Sequence, residues 1–399
     1  MNTKPIVLAY SGGLDTSFCI PYLKETFGAE VHAVMADTLG LTQDQIDALR
    51  TKALHHGADH FECIPSFDML YDRILSNLIK GNVLRDRTYP LSVGAERFIQ
   101  AEQIAVYANR IGTHRIAHGS TGAGNDQVRF DVALYALIPG VEIITPIRDQ
   151  GFTRTFTTAF LRERGFEVAE KTTSYSINDG IWGTTIGGKE TMNTTEALPF
   201  EAFPALGDPS AFNDDPELVR IGFDSGLPVS INGETLKPLD LLKNIQKLGR
   251  KHGIGRGMHL GDTILGIKGR IGFEAPVAQI LYFAHRELEK LVLTKWQRQL
   301  KDQQSDTYGM LLHEGQFYDP VMRNIEAFFD STQERVTGEV TLYLGRGVVF
   351  HQTTESPYTL IRKGIATYGE DASGWTGAEA RAFSKLTGIT SKLANSIQS

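Results

Sequence analysis

Two glycine-bearing stretches hold the groups in this sequence that could do chemistry. The first, residues 9–17 (AYSGGLDTS), sets the hydroxyls of Ser11, Thr16 and Ser17 and the acid Asp15 around the pair Gly12-Gly13. Glycines let backbone N–H groups approach a ligand that a Cβ would block, and hydroxyls add donors, so the stretch fits phosphate oxygens. Asp15 is then placed to hold a phosphate-bound Mg²⁺. A Walker-type loop needs a lysine inside GxxxxGK[ST]; Lys4 and Lys24 both fall outside this segment. A plain strand-to-helix turn is the other reading of Gly12-Gly13.

The second stretch is residues 117–130 (AHGSTGAGNDQVRF). Gly119, Gly122 and Gly124 permit an unusual backbone path, and Thr121, Asn125 and Asp126 then supply a hydroxyl, an amide and a carboxylate. Asn125 and Arg129 are four residues apart, so on a helix beginning at Asp126 they share a face and can meet one ligand. Asp126 also reads as a helix cap, and Arg129 as a solvated residue or half of an ion pair.

These groups need a frame, and the first 150 residues provide its pattern. An apolar run at 6–9 is followed by helical spacing over 15–27, a strand at 31–36, a helix at 43–56 and a short strand at 60–64. Helices are expected at 67–79 and 96–110, and strands at 115–117 and 142–145. Such alternation predicts an α/β fold with a Rossmann-like parallel sheet covered on both faces. Ligands on such sheets collect at the carboxyl ends of the strands, where the glycine pair and Ala36 both fall.

The 399 residues suffice for two or three domains, and 41% hydrophobic content is enough for real cores. A net charge of −7 argues against a nucleic-acid surface. Two cysteines, Cys19 and Cys63, indicate neither a disulfide framework nor a thiolate zinc site, and no signal or membrane-spanning run is evident, so the expected location is cytoplasmic. The expected division is an α/β domain carrying both glycine-bearing stretches over 1–170, an α+β domain over 171–370, and a C-terminal helical tail over 371–399. A linker is expected between 165 and 173, a long helix over 276–303, and a hairpin over 339–349 turning at Gly345-Arg346-Gly347. His285 and Arg286 read as core-edge or interface residues. Ala380, Phe383, Leu386, Ile389, Leu393 and Ile397 form an apolar stripe in the tail that suggests docking on another subunit.

The two glycine-bearing stretches together resemble the argininosuccinate synthase family of the ATP-pyrophosphatase superfamily. The likeness extends through SYSINDGIWGT (174–184), NGE (232–234), GRKHGIGR (249–256), GIKGRIGFEAP (266–276), QERVTGEV (333–340) and SPYTL (356–360). The resemblance implies a ligase of arginine biosynthesis that joins citrulline to aspartate, using ATP with Mg²⁺ and releasing AMP and pyrophosphate, in a homotetramer. It implies ATP contacts at Ala9, Tyr10, Ser11, Gly12, Gly13, Leu14, Asp15, Thr16, Ser17, Ala36 and Gly119. Thr121, Asn125 and Asp126 match aspartate positions, and Tyr89, Asn125, Arg129, Ser176 and Thr185 match citrulline positions. Asp126 is the candidate for orienting the aspartate amine.

Departures cluster on the citrulline side. The chain reads Ser92-Val93-Gly94 where the family has GT followed by serine or alanine, Gly261 where it has glutamate, and Phe273 where it has tyrosine. An acid opposite an α-ammonium makes a charge-assisted contact, so its loss weakens the hold on a free amine unless Asp262 substitutes. The alternative is an N-acylated citrulline acceptor, with Gly94 and Gly261 leaving room. Two rivals stand outside the ligase class: a tRNA-modifying enzyme, which needs a basic face and often paired cysteines, and a nucleotide sensor, which would lose the substrate groups.

Overall fold

The structure is a computed structural model that describes residues 4–122, 124–168, 175–362 and 374–397. Its first unit is a parallel sheet of β1 (Ile6–Ala9), β2 (Val31–Asp37), β3 (His60–Pro65), β4 (Arg115–Ala117) and β5 (Glu142–Ile144), in the order β3-β2-β1-β4-β5. Helices α1 (Leu14–Phe27), α2 (Gln43–His55), α3 (Phe67–Leu70), α4 (Ser76–Gly81), α5 (Glu96–Arg110), α6 (Asn125–Leu137), α7 (Pro146–Gln150) and α8 (Arg154–Glu163) complete the unit. The helix expected over 67–79 forms as α3 and α4 joined by a π turn at Tyr71–Leu75.

The short β1 is apolar throughout because both its faces are covered. Ile6 and Leu8 join Phe18, Leu23, Val31 and Leu161 on one side. Val7 faces the other way, into a core that continues through Val34, Phe98, Phe317 and Tyr308 to Val340 and Leu342. The second of these clusters is what fixes the first sheet against the rest of the chain.

Beyond residue 175 the strands are antiparallel. One sheet contains β6 (Ser176–Asn178), β7 (Thr184–Gly187), β11 (Arg256–Asp262) and β12 (Lys268–Glu274), ordered β11-β12-β7-β6. The other contains β8 (Glu217–Asp224), β9 (Leu227–Ile231), β10 (Glu234–Thr235), β13 (Gly338–Gly345) and β14 (Val348–Glu355), ordered β10-β9-β8-β13-β14. Helices α9 (Pro238–His252), α10 (Pro276–Val292), α11 (Lys295–His313) and α12 (Pro320–Gln333) pack around them, and α13 (Gly377–Thr387) and α14 (Ile389–Ile397) form the tail.

The expected helix over 276–303 is instead two helices, α10 and α11, broken at Leu293-Thr294. Thr294 accepts from the Gln297 N–H, and the Gln297 side chain accepts from the Thr294 N–H. This reciprocal capping box is a start signal that apolar spacing alone overlooks. His285 is not at the core edge: it is fully buried, between Asn82 and Gln333. The hairpin forms with Gly345 paired to Val348, although its second arm runs on to Glu355. The expected linker falls partly outside the described residues. In this single chain the tail's Phe383, Leu386, Leu393 and Ile397 are exposed. Among the described residues no helix is long and apolar enough to cross a membrane.

Candidate active site

The carboxyl ends of β1, β2 and β4 open on a cleft of about 690 Å³ whose far wall comes from β6, β7, β11 and β12. Two helices, α1 and α6, begin at its floor, and their starts differ from those of α2, α8 and α11. Each of those three has a threonine side chain capping its first turn. α1 and α6 start on Gly13 and Gly124 with no side-chain cap, each with an acid in the first turn. Their leading N–H groups are therefore left for a ligand, and the helix dipole favours an anion there.

Among the residues expected to contact a nucleotide, Ala9, Tyr10, Ser11, Gly13, Leu14, Asp15, Thr16, Ala36 and Gly119 line the cleft. Gly12 and Ser17 do not. Gly12, at φ +74°, turns its carbonyl to Lys52, and a Cβ there would lie 2.3 Å from Leu49. It shapes the loop against α2 rather than facing a ligand. Ser17 is buried one turn inside α1. The two loops touch at Gly119, where a Cβ would come within 3.3 Å of Asp15. Burial raises the Asp15 carboxyl and Arg154 only partly opposes it, so the acid has spare capacity for a cation.

Tyr89, Thr121, Asn125, Asp126, Arg129, Ser176, Thr185 and Gly261 also line the cleft. Asp126 is held by two guanidiniums, Arg97 Nε at 2.9 Å and Arg129 at 3.0 Å. Burial alone would raise its carboxyl, but the two arginines outweigh burial and hold it below the usual carboxylate range. Such a group remains ionised and accepts protons poorly, which suits orienting a cationic or N–H partner better than general-base work. The trio carries a net charge of +1, appropriate for an anionic substrate. Arg129 further donates to the His313 carbonyl and ring Nδ1, both at 3.2 Å, and His313 Nε2 lies 3.0 Å from the Asp262 carbonyl. Burial, then Arg129, pushes the His313 imidazole down to about 4, so it is neutral and can accept from Arg129 while donating to Asp262. Asn125 Oδ1 accepts from the Ile264 N–H at 3.0 Å, leaving its NH₂ for a ligand.

Phe273 is the third expected residue that does not line the cleft. It is buried behind Tyr89, with ring centroids 5.6 Å apart, and Tyr89 itself stacks on His259 at 5.4 Å. The two glycines expected to leave room are occupied from within. A Cβ at Gly94 would lie 3.1 Å from the Arg129 guanidinium, and one at Gly261 would lie 2.5 Å from His259 Nε2. Asp262 directs its carboxylate to Lys268 at 2.6 Å. The acid beside Gly261 is Asp86, whose Oδ2 would be 3.2 Å from that added Cβ.

Arg97, Asn178, His259 and His313 reach the cleft without any sequence signal singling them out. Arg97 lies 29 residues from Asp126 in an amphipathic helix, where its spacing looks like that of any half-exposed arginine. Only the packing of α5 on α6 brings the two together.

Comparison with known proteins agrees with this arrangement. A family model described as the arginosuccinate synthase N-terminal HUP domain matches residues 5–167, and one described as the arginosuccinate synthase C-terminal domain matches 175–394. The chain is 39% identical over 397 residues to a Xylella fastidiosa protein named argininosuccinate synthase, covering 98% of each. A Pyrococcus furiosus protein of the same name is 37% identical over 389 residues, covering 98% of this chain and 94% of that one. A solved U34-tRNA thiolase from Methanococcus maripaludis overlaps 44% of this chain and 62% of its own at 15% identity and a TM-score of 0.29, too loosely to bear on function. With both family models matched in order and near full-length relatives of one name, the chain belongs to the argininosuccinate synthase family.

Proposed function

We propose that this chain is an ATP-dependent, AMP-forming C–N ligase that condenses citrulline with aspartate to argininosuccinate through a citrullyl-adenylate, in arginine biosynthesis. The observation that carries this reading is the shared cleft, where the uncapped start of α1 and Thr121, Asn125, Asp126 and Arg129 meet around one space. Residues 1–170 form the nucleotide-binding part in this reading, 171–370 the synthetase part and 371–399 the oligomerisation tail.

A ureido oxygen is a weak nucleophile, so the site must hold it in line with the α-phosphorus and receive the charge that moves onto pyrophosphate. The N–H groups at the start of α1 and the hydroxyls of Ser11 and Thr16 suit the leaving pyrophosphate. Asp15, half-buried and with Arg154 as its opposing charge, fits a magnesium ligand; Mg²⁺ bound there would neutralise phosphate charge. The oxygen–phosphorus bond forms as the α–β phosphate bond breaks. The aspartate amine then attacks the ureido carbon and AMP departs with the original ureido oxygen. Thr121 and the Asn125 NH₂ are available to the aspartate carboxylates, while Asp126 orients the amine. Because two arginines hold Asp126 ionised and make it a poor proton acceptor, the proton released by the attacking amine passes to a phosphate oxygen rather than to this carboxylate.

Citrulline with a free amine is the acceptor in this reading, because the space at Gly94 and Gly261 that an acyl group would need is taken by Arg129 and His259. An N-acylated citrulline is the competing acceptor. The exposed apolar residues of α13 and α14 support self-association, proposed as a homotetramer, and free Cys19 and Cys63 suit a cytoplasmic enzyme.

The test supplies ¹⁸O-ureido-citrulline with ATP and aspartate. Transfer of label to AMP, dependent on aspartate for turnover, is expected. ADP as product, or turnover indifferent to aspartate, overturns the reading. Running free and N-acylated citrulline side by side assigns the acceptor.

A further inference from the structure

The N-terminal ends of β2 and β3, at the opposite end of the parallel sheet from the cleft, carry a cluster that the ligase chemistry does not use. His32 and His60 are register partners on these adjacent strands, and their ring centroids are 4.2 Å apart. Glu30, immediately before β2, brings a carboxylate oxygen to 3.8 Å from His32 Nε2. One ligand atom from each of the three lies within 4.8 Å of the other two.

His32 gives the cluster its direction. It is 7% exposed, and its Nδ1 is hydrogen-bonded to the Tyr107 hydroxyl at 2.8 Å. Its Nε2 is buried and has no hydrogen-bond partner. In the tautomer whose Nδ1–H donates to Tyr107, Nε2 presents a lone pair toward the Glu30 carboxylate, and a cation between them would satisfy both. Metal-bound histidines usually fix their remote ring nitrogen by such a bond. The neighbouring acids are already engaged: Asp59 by Lys24 and the Val31 N–H, and Glu62 by Arg110.

We propose that Glu30, His32 and His60 form a binding site for one divalent cation of the zinc type, with water completing a tetrahedron. Two imidazoles and one carboxylate suit zinc, whereas magnesium and calcium take oxygen ligands. Bonds of about 2.0–2.1 Å place tetrahedral ligand atoms about 3.4 Å apart. The present spread closes by rotation of the exposed Glu30 and His60 side chains about a His32 already fixed by Tyr107. The bound ion would clip the edge strand β3 to β2 and, through Tyr107, to α5.

The full-length chain, stripped with a chelator, would be titrated with Zn²⁺ against a chromophoric competitor and separately with Co²⁺ by absorption. The expected result is one equivalent per chain and the visible spectrum of a four-coordinate site without a thiolate charge-transfer band. His60→Ala and Glu30→Ala, both at exposed positions, should weaken binding at least about tenfold. Tyr107→Phe should weaken it by about tenfold to a hundredfold while keeping the stoichiometry. AMP formation with Mg²⁺ should be unchanged in His60→Ala. Binding only in the millimolar range, equal affinity in His60→Ala and Glu30→Ala, or a six-coordinate or thiolate cobalt spectrum would overturn the site.

Discussion

Glu96→Gln is expected to change how stability depends on pH. Glu96 opens α5 beside the cleft and is 1% exposed. Thr38 donates to its Oε2 at 2.8 Å, while its Oε1 has no hydrogen-bond partner. Burial pushes its carboxyl from an ordinary 4.5 up to about 7, with Arg97 opposing. The folded state therefore keeps a proton that the unfolded chain has released. Stability is highest below pH 4.5 as far as this group is concerned, falls as pH rises from there, and levels off above about 7. Linkage over that interval gives a loss of about 1 kcal/mol by pH 5, about 2 by pH 6 and about 3 by pH 8. Glutamine retains an acceptor for Thr38 and cannot ionise, so the variant should escape this loss. For a chain of 399 residues unfolding as one unit, with an entropy of about 0.8 kcal/mol/K, about 3 kcal/mol corresponds to about 4 °C. Scanning calorimetry of both proteins from pH 4 to 8 should show the variant gaining on the parent by that amount at pH 8. Parallel pH profiles would refute the assignment of a protonated Glu96 in the folded state.

Three further outcomes are expected. Arg97→Ala strips one guanidinium from the half-buried Asp126; a hydrogen bond to a charged group is worth about 1.5–3 kcal/mol, so kcat/KM for aspartate should fall by about tenfold to a hundredfold, read as aspartate-dependent AMP release with folding followed by circular dichroism. Gly94→Ala sets a methyl 3.1 Å from the Arg129 guanidinium, which must give by a few tenths of an ångström, and KM for citrulline should rise about twofold to threefold with little change in KM for ATP. Lys301→Met leaves Glu289 buried without its 3.0 Å partner and should cost about 3–5 kcal/mol in urea denaturation, part of it recovered in the Lys301→Met, Glu289→Gln double variant, whose neutral amide oxygen still accepts from the Asn82 or Gln333 side chain.

What was legible in the sequence was local. An apolar run ending in Gly12-Gly13, and a second ending in Gly119 to Gly124, announce strand-to-helix turns that can hold an anion, because the needed backbone freedom is encoded in adjacent residues. The parallel sheet followed from strand and helix periods alternating over the first 150 residues. The break between α10 and α11 was also local, written in Thr294 and Gln297, but apolar spacing across the junction masked it.

The partners of the chemical groups depended on distance in the fold rather than along the chain. Spacing could not choose between capping and binding for Asp126, because that choice depends on Arg97 from α5 and Arg129 held by His313 at the end of α11. Gly94 and Gly261 looked like empty space when read one at a time, yet Arg129 and His259 fill the neighbouring volume. The sequence by itself determined which segments could present donors and acids. The tertiary structure decided which charges meet, because burial and opposing charge act through space and are set by the packing of α5, α6 and α11 around one cleft.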